Sequence, residues 1–441
     1  MIVFAKKISW VILIFFLITA CQQKKIAVPL TDDATVLHQN QDLLTQIIIY
    51  DGFTPPVASR IYIYSSLASY EAIRFSKEGA VSIAQRLRGF KKMPQPVQGK
   101  VYNYTLAATK AFFTVVRDVR VFSVDSLKSY EESVYNNFKD NLDDSTYNRS
   151  VKFGEAIGKT ILERAKSDGY IKSRGKPKYL GSNDPGKWRP TPPDYMDGVE
   201  WCWNTMEPLV LDSASQFMPP RPPIFNKDTN SPFYKNVTEV YNIGKNLTEE
   251  QKEIARYWDD NPFVIEHSGH MMFANKKITP GGHWMGIAAI ASKQTKAGAV
   301  KVAQAYAMTA VALYDAFISC WDEKYRSSYV RPVTVINEWM DPAWTSFLQT
   351  PPFPEYTSGH STITRSASVV LTKLFGDNFS FQDTSDLRYI GMQRHFDSFK
   401  QAADEASISR VYGGIHYMVS VNEGANAGKK VGDLIVEKIL N

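Results

Sequence analysis

Cysteine is scarce in this sequence. Besides Cys21, the 441 residues contain only Cys202 and Cys320, so a small fold stapled by many disulfides is excluded. The last two cysteines lie beside tryptophan residues. Their surroundings are compatible with one disulfide or with two buried free thiols, and the sequence leaves both open.

Long apolar runs are also missing after residue 20, which excludes a protein that spans the membrane several times and predicts a soluble body. The first twenty residues differ: Lys6 and Lys7 precede an apolar run over 8–20, which is short for a bilayer span, and Cys21 follows. The end of this run is similar to a bacterial lipobox. We predict a lipoprotein signal peptide over 1–20.

This prediction places the protein in the bacterial cell envelope, facing the periplasm or the surface. The lipidated Cys21 would hold it at the membrane, and residues 21–39 would form a polar tether. An uncleaved anchor helix is the alternative, and it also keeps the chain at the membrane.

Excess charge of one sign is absent as well. The chain has 51 basic and 45 acidic residues, a net charge of +6, and the two signs are interspersed. This pattern gives no case for nucleic-acid binding and supports at most a mild attraction for anions.

Strands are scarce because little of the sequence alternates with period two, whereas helical periodicity recurs. We predict an all-α fold of two packed helical bundles. The first bundle covers residues 40–171, a long loop rich in Pro and Trp covers 172–236, and the second bundle covers 237–441 and carries an anion site. A weak internal echo between Ala68-Ser-Tyr-Glu-Ala-Ile73 and Ala312-Leu-Tyr-Asp-Ala-Phe317 favours two related halves.

Three short blocks near the C-terminus carry the chemistry. The first runs from Lys324 to Arg331-Pro332, the second is Ser358-Gly359-His360, and the third runs from Ser409-Arg410 to His416. Together they supply permanent cations, a hydroxyl beside a glycine, and two imidazoles, which are the groups that bind a tetrahedral oxyanion. Ser-Gly-His also occurs at 268–270, but only the second copy lies between the other two blocks.

Local patterns predict how these groups are presented. A helix over 359–375 would begin at Ser358, which is a good N-cap and which would place free backbone N–H groups at the anion. Lys324 and Arg331 are seven residues apart, so they would share one helix face, and Pro332 would end that helix. Gly413-Gly414 would let the chain turn between Arg410 and His416.

The order of the three blocks resembles the signature of the vanadium-dependent haloperoxidase and type 2 phosphatidic acid phosphatase superfamily. Other stretches are similar to its soluble bacterial haloperoxidase branch, among them Pro185-Gly-Lys-Trp-Arg-Pro-Thr-Pro-Pro193 and Gly282-His-Trp284. The resemblance covers residues 35–441. It implies two four-helix bundles, with vanadate as the cofactor and phosphate able to occupy the same site.

The resemblance also implies roles for single residues. The groups that would bind the non-bridging oxygens of the anion are Lys324, Arg331, Ser358, Gly359 and Arg410. His416 would bond the vanadium or phosphorus atom, Lys324 would polarise bound peroxide, and His360 would move protons at the opposite apical oxygen.

Two departures from the family pattern concern the residues around the site. Thr357 stands where relatives have Pro, and Ser420 stands where they commonly have an Asp that orients the metal-binding imidazole. Glu423 is our candidate to replace that Asp. Phe353 matches a halide-side Phe of chloride-oxidising relatives, and Asp260 matches a carboxylate that holds an active-site Arg.

The function implied is a vanadium-dependent haloperoxidase that oxidises halide with hydrogen peroxide. Two alternatives remain open. One is a phosphomonoesterase that cleaves a small phosphate ester through a phosphohistidine at the same site, and the other is a non-catalytic phosphate-binding lipoprotein. The sequence leaves halide preference, organic acceptor and oligomeric state undecided.

Overall fold

The computed structural model describes residues 33–119, 122–262, 264–268, 271–274 and 276–441. The predicted signal peptide and Cys21 lie outside the described residues. The all-α class is confirmed. Among the described helices, none combines the length and the apolar character that crossing a bilayer requires.

The N-terminal half is built from helices joined by short turns. They are α1 (Thr35–Asp51), α2 (Pro55–Ile73), α3 (Tyr104–Asp118), α4 (Val124–Lys139), α5 (Asp144–Ser167) and α6 (Tyr170–Arg174), with short 3-10 turns at Arg74–Ser76 and Ala84–Arg86. Side-chain N-caps fix two of the starts: Asn103 accepts from the backbone N–H of Leu106, and Asp143 accepts from that of Thr146.

The described part of the C-terminal half contains nine more helices and two small antiparallel hairpins. The helices are α7 (Pro232–Lys245), α8 (Glu249–Tyr257), α9 (Pro280–Gln294), α10 (Ala299–Ser327), α11 (Pro332–Trp339), α12 (Gly359–Phe375), α13 (Leu387–Ile390), α14 (Phe399–Tyr412) and α15 (Met418–Leu440). Strands β1 (Ile265–Ser268) and β2 (Met271–Ala274) pair with each other, as do β3 (Phe381–Asp383) and β4 (Arg394–Phe396).

Two buried helices, α2 and α10, pack against each other at the centre of the molecule. On one side α2 packs on α3 and α5, and on the other side α10 packs on α9, α12 and α15. The acidic residues of the two similar segments, Glu71 in α2 and Asp315 in α10, both accept hydrogen bonds from backbone N–H groups. Glu71 accepts from the backbone N–H of Ala84 at 2.8 Å, and Asp315 accepts from three successive N–H groups starting at Leu209.

Glycine lets α15 approach α12 very closely. A Cβ on Gly428 would lie 2.1 Å from the carbonyl oxygen of Thr362, and one on Gly424 would lie 2.8 Å from that of Ser358. Neither distance is possible for a real side chain. The start of α12 is therefore set by its contact with α15.

The helix predicted to carry both Lys324 and Arg331 is not continuous, so that prediction was wrong. Helix α10 ends at Ser327, and Ser328 adopts a left-handed conformation with φ 46°. Arg331 is the N-cap residue of α11, and Pro332 occupies its first turn. Proline has no N–H to donate, so it begins this helix rather than ending the previous one.

The connection between α6 and α7 is long and irregular apart from a 3-10 turn at Trp203–Thr205. It is nevertheless well packed, because Trp188 and Trp203 are fully buried. Hydroxyl groups of Tyr325, Tyr329 and Tyr356 donate to its backbone carbonyls. Cys202 and Cys320 are both buried free thiols rather than a disulfide.

Candidate oxyanion site

The N-terminus of α12 forms the floor of the site. Ser358 is its N-cap: the Ser358 Oγ accepts from the backbone N–H of Ser361 at 3.3 Å and from its hydroxyl at 2.9 Å. Gly359 and His360 are the first two helical residues, and their N–H groups have no acceptor within the helix. The positive end of the helix dipole and these N–H groups favour an anion here.

Arg331 approaches from the start of α11 and is completely buried. Its Nε donates to the carbonyl of Phe353 at 2.9 Å, and its Nη1 donates to the carbonyl of Ile415 at 2.7 Å and lies 3.2 Å from His416 Nε2. Its Nη2 is buried and makes no hydrogen bond. One N–H-bearing arm of this guanidinium is therefore available to a guest.

Arg410, near the end of α14, is 1% exposed and is held by a single contact. Its Nη1 donates to the carbonyl of Trp258 at 2.5 Å, while its Nε and Nη2 are buried without a partner. Leaving charged donors unpaired in a protein interior is costly. Such donors indicate a ligand that accepts hydrogen bonds.

Lys324 differs from the two arginines. Its Nζ donates to the carbonyls of Pro354 at 3.0 Å, Glu355 at 3.1 Å and Thr357 at 2.6 Å, so its three donors are all used. Burial is the main reason that the pKa of Lys324 falls to about 7, and Arg331 lowers it further. In this arrangement Lys324 contributes charge beside Gly359 rather than a free hydrogen-bond donor.

His416 is fixed by Glu355, a residue that the sequence analysis did not single out. Its Nδ1 lies 2.7 Å from Glu355 Oε1, and Glu355 also accepts from the Tyr417 N–H at 3.0 Å and the Ser420 hydroxyl at 2.5 Å. With Nδ1–H donated to the carboxylate, the lone pair of Nε2 faces Arg331 and the cavity.

Glu355, not Glu423, therefore replaces the Asp that relatives carry at position 420. Glu423 lies on the second turn of α15 and is half-buried. In the sequence, the one feature that points to Glu355 is its position next to the Ser-Gly-His block, three residues before Ser358. Burial raises the pKa of Glu355 to about 7, although Ser420 and Arg331 act in the opposite direction.

His360 lies at the cavity wall with 14% of its side chain exposed. Its Nε2 makes no hydrogen bond and stands 3.9 Å from Asp260 Oδ2. Burial, and after it the positive charges of Arg410, His283 and Lys324, holds the pKa of His360 well below 6.5. The imidazole is therefore neutral at pH 7 and able to accept a proton.

A small cavity of about 30 Å³ connects these groups. Gly359, His360, Arg410 and His416 all line it. Asp260 and Asn261 also line it, and the rest of the wall is apolar and comes from Pro55, Pro262, Pro280, Phe317, Trp321, Pro351, Phe353, Ile363 and Ile415. Pro55 belongs to α2, so the N-terminal half contributes to the wall.

The predicted residues therefore meet at one place. Arg331 reaches His416 directly, and Lys324 and Arg331 stand 5.0 Å and 5.2 Å from the centre of the same Phe353 ring. Arg410 and His360, which carry unpartnered atoms, line the same cavity as His416, and Arg331 lies 3.2 Å from His416 Nε2. A tetrahedral oxyanion fits this donor set. Of the other Ser-Gly-His copy, at 268–270, only Ser268 lies within the described residues.

Comparison with solved structures decides the family. A structure described as the first bacterial vanadium-dependent iodoperoxidase superimposes with a TM-score of 0.88 and is 44% identical in sequence. The match covers 94% of this chain and 98% of the other.

The chain belongs to the vanadium-dependent haloperoxidase family. A family model for the second helical-bundle domain of these enzymes (VCPO second helical-bundle domain) matches residues 304–441, the part of this haloperoxidase that carries the three sequence blocks.

Two structures of bacterial vanadium-dependent chloroperoxidase, a holo and an apo form, share the fold with this haloperoxidase. Each is 20% identical, with TM-scores of 0.70 and 0.67. They cover 94% and 95% of this chain and 99% and 96% of their own. A search of curated protein sequences found no match.

Proposed function

We propose that this protein oxidises halide with hydrogen peroxide at a vanadate bound to His416. The observation that carries the proposal is the set of buried, unpartnered donors on Arg331 and Arg410 beside His416, whose Nε2 lone pair faces Arg331. A phosphate-like anion would satisfy each of them. The 44% identical iodoperoxidase supports vanadate as that anion.

The residues of the chain would hold the cofactor as follows. His416 Nε2 would bond the vanadium atom, and Arg331 Nη2, Arg410 Nε and Nη2, the Ser358 hydroxyl and the N–H of Gly359 would bind its oxygens. Bound vanadate would supply a Lewis acid that activates peroxide without a change of oxidation state. Lys324 would add positive charge, which favours an anion of high charge.

Proton transfer would fall to His360. The overall reaction, halide plus hydrogen peroxide plus a proton giving hypohalous acid and water, consumes one proton per turnover. Because His360 is neutral at pH 7 and its Nε2 is unpartnered at the cavity wall, this atom can take a proton from entering peroxide and return it later.

Iodide is the halide that we propose first. The relative of 44% identity is described as an iodoperoxidase, and the aromatic wall of Trp321 and Phe353 offers a polarisable surface to a large halide. The cavity is small, so an organic acceptor would react with hypohalous acid that has left the site.

The test is reconstitution of the metal-free protein with orthovanadate, followed by triiodide formation with peroxide. We expect turnover that needs vanadate, is lost in His416→Ala, and is kept in His395→Ala, whose imidazole is exposed. Absence of vanadate-dependent turnover with iodide, bromide and chloride would refute the proposal. Phosphate release from a chromogenic ester, if it disappears in His416→Ala, would instead indicate a phosphatase.

We also propose that the protein is a lipoprotein of the cell envelope, attached through Cys21. The support is the charged, apolar and lipobox-like order of residues 6–21. Incorporation of labelled palmitate in a bacterial host would test it, with Cys21→Ser as the variant that should lose the label. Labelling that persists in Cys21→Ser would contradict the proposal.

A further inference from the structure

A second ionised cluster lies beside the oxyanion site, centred on His283 in α9. His283 is fully buried, and both of its ring nitrogens face carboxylates. Nδ1 lies 3.1 Å from Asp260 Oδ1 and 3.5 Å from Asp386 Oδ2, and Nε2 lies 3.0 Å from Asp383 Oδ2. The ring also stacks on Trp258, with centroids 4.5 Å apart and planes 17° apart.

The charge state of His283 follows from this geometry. Burial opposes protonation, but the three carboxylates outweigh it and raise the pKa of His283 well above 6.5. An imidazole with a carboxylate at each nitrogen donates from both only when it is protonated. Burial also raises the pKa of Asp386 to about 7, so the cluster holds a further proton near neutrality.

Asp260 joins this cluster to the active site. Its Oδ1 is bound by His283, while its Oδ2 makes no hydrogen bond and faces His360 Nε2 at 3.9 Å. Burial lowers the pKa of Arg410, and the carboxylates of Asp259 and Asp260 act in the opposite direction. The Arg410 guanidinium is held by one backbone carbonyl. Asp260 is itself 2% exposed, so its orientation depends on its one strong partner, His283.

We propose that His283 is a positioning residue for the oxyanion site. It acts as a buried imidazolium, anchored by Asp383 and Asp386, that fixes Asp260 so that the free carboxylate oxygen faces His360 and Arg410. This inference deepens the haloperoxidase proposal and rests on it for its effect on turnover. Its effect on oxyanion binding does not require that any halide be oxidised.

Among the described residues, a few charged groups face His360 and the cluster around His283. His360 faces cations on three elements and one acid, namely Arg410, His283, Lys324 and Asp260, and it also influences His416. The cluster itself faces Lys277, which pairs with Asp259 at 2.5 Å and lowers the pKa of Asp386.

A divalent cation is the competing occupant, because Asp260, His283 and Asp386 place one ligand atom each within 4.8 Å of one another. The orientation of the ring favours a proton instead. Both nitrogens point at carboxylate oxygens at hydrogen-bond distance, and an imidazolium satisfies both carboxylates without further ligands.

The first experiment uses the unaltered, metal-free protein. Nitrogen-15 NMR of labelled histidine, with His283 identified by comparison with His283→Gln, should show one imidazole protonated at both nitrogens at pH 7.5. A neutral His283 in this sample, or a stoichiometric divalent metal found by elemental analysis of the protein as purified, before metal removal, would overturn the proposal.

The second experiment is a double-mutant cycle of His283→Gln and Asp260→Asn. Inorganic phosphate binding is measured by calorimetry, and kcat for iodide is measured after vanadate loading. Each single change should lower kcat by roughly tenfold to a hundredfold, the loss expected when a reacting group is misplaced by about 1 Å. The double variant should be no worse than Asp260→Asn alone, because His283 acts through Asp260.

His395→Gln is the control for folding, since it makes the same chemical change as His283→Gln at an exposed imidazole outside the cluster. It should fold and keep its phosphate affinity within about twofold of the unaltered protein, as expected for an exposed substitution. Additive losses in the cycle would refute the positioning role. Failure of the unaltered protein to oxidise halide would refute the haloperoxidase proposal alone, since the NMR and phosphate arms would still decide on His283.

Discussion

Replacement of Glu355 by Gln tests the origin of the metal-binding character of His416. The carboxylate accepts three hydrogen bonds, from His416 Nδ1, the Tyr417 N–H and the Ser420 hydroxyl. Gln keeps the shape and can accept from His416, but it removes the charge. Hydrogen bonds to charged groups are worth about 1.5–3 kcal/mol, against about 0.5–1.5 for neutral ones.

Two effects of this substitution oppose each other, and the structure indicates which one dominates. Losing a negative charge reduces repulsion of the bound anion. However, Lys324 and Glu355 are electrostatically coupled, and each has a pKa near 7. Without the carboxylate, the pKa of Lys324 falls further, so near pH 7 a loss of positive charge offsets part of the lost negative charge. The effect that remains is the weaker hydrogen bond between His416 Nδ1 and residue 355, which lowers the affinity for vanadate.

We expect the vanadate affinity of Glu355→Gln to fall about tenfold to a hundredfold, the usual cost of losing a carboxylate that orients a metal-binding imidazole. This corresponds to about 1.4–2.7 kcal/mol of binding free energy. Because burial raises the pKa of Glu355 to about 7, the carboxylate is charged above that pH. The difference from the unaltered protein should therefore be larger at pH 8 than at pH 6.

The assay is calorimetric titration of the metal-free protein with orthovanadate at both pH values. Glu423→Gln is the matched control, since it makes the same chemical change at a half-buried residue on α15 and should leave the affinity unchanged. The reasoning fails if Glu355→Gln binds vanadate normally at pH 8, or if Glu423→Gln is the variant that weakens it.

Three further outcomes are expected. Gly428→Ala should lower the free energy of unfolding by about 1–3 kcal/mol, because the added Cβ would clash with the backbone of Thr362. Urea titrations measure this loss, and Gly175→Ala, whose Cβ would enter open space, should change the free energy of unfolding little. Burial lowers the pKa of His416, so this residue should contribute a loss of up to about 1.4 kcal/mol of stability per pH unit below 6.5 in the oxyanion-free protein. His416→Gln should reduce the measured slope by that amount. Arg410→Lys should weaken phosphate binding about tenfold in calorimetry; unchanged binding would contradict the assigned donors.

The sequence predicted those parts of the fold and site that depend on local pattern. Helical periodicity and the N-cap at Ser358 located α12 to the residue. The start of α11 was misread because Pro332 can follow the end of one helix or open the next. The left-handed Ser328, which the sequence does not mark, ends the first helix, and residues 329–331 follow before the second begins.

The partners of the site residues were harder to predict because they come from distant parts of the chain. Glu355 reaches His416 across 61 positions, and Asp383 reaches His283 across 100. A lone buried His is ordinarily a structural residue, which is how the sequence presents His283. Its surroundings of three carboxylates exist only after α9 has packed against the segment after α8 and the end of β3 with the turn that follows.

The same long-range packing explains why the site tolerates so much buried charge. Backbone carbonyls take the whole hydrogen-bonding capacity of Lys324, and Glu355 balances Arg331 through His416. Among the described cations of the site, Arg410 has the most unpaired donors, its Nε and Nη2, and the acids that act on it are Asp259 and Asp260. Since an unpaired buried donor costs about 1–3 kcal/mol, an arriving oxyanion gains more at Arg410 than at Arg331.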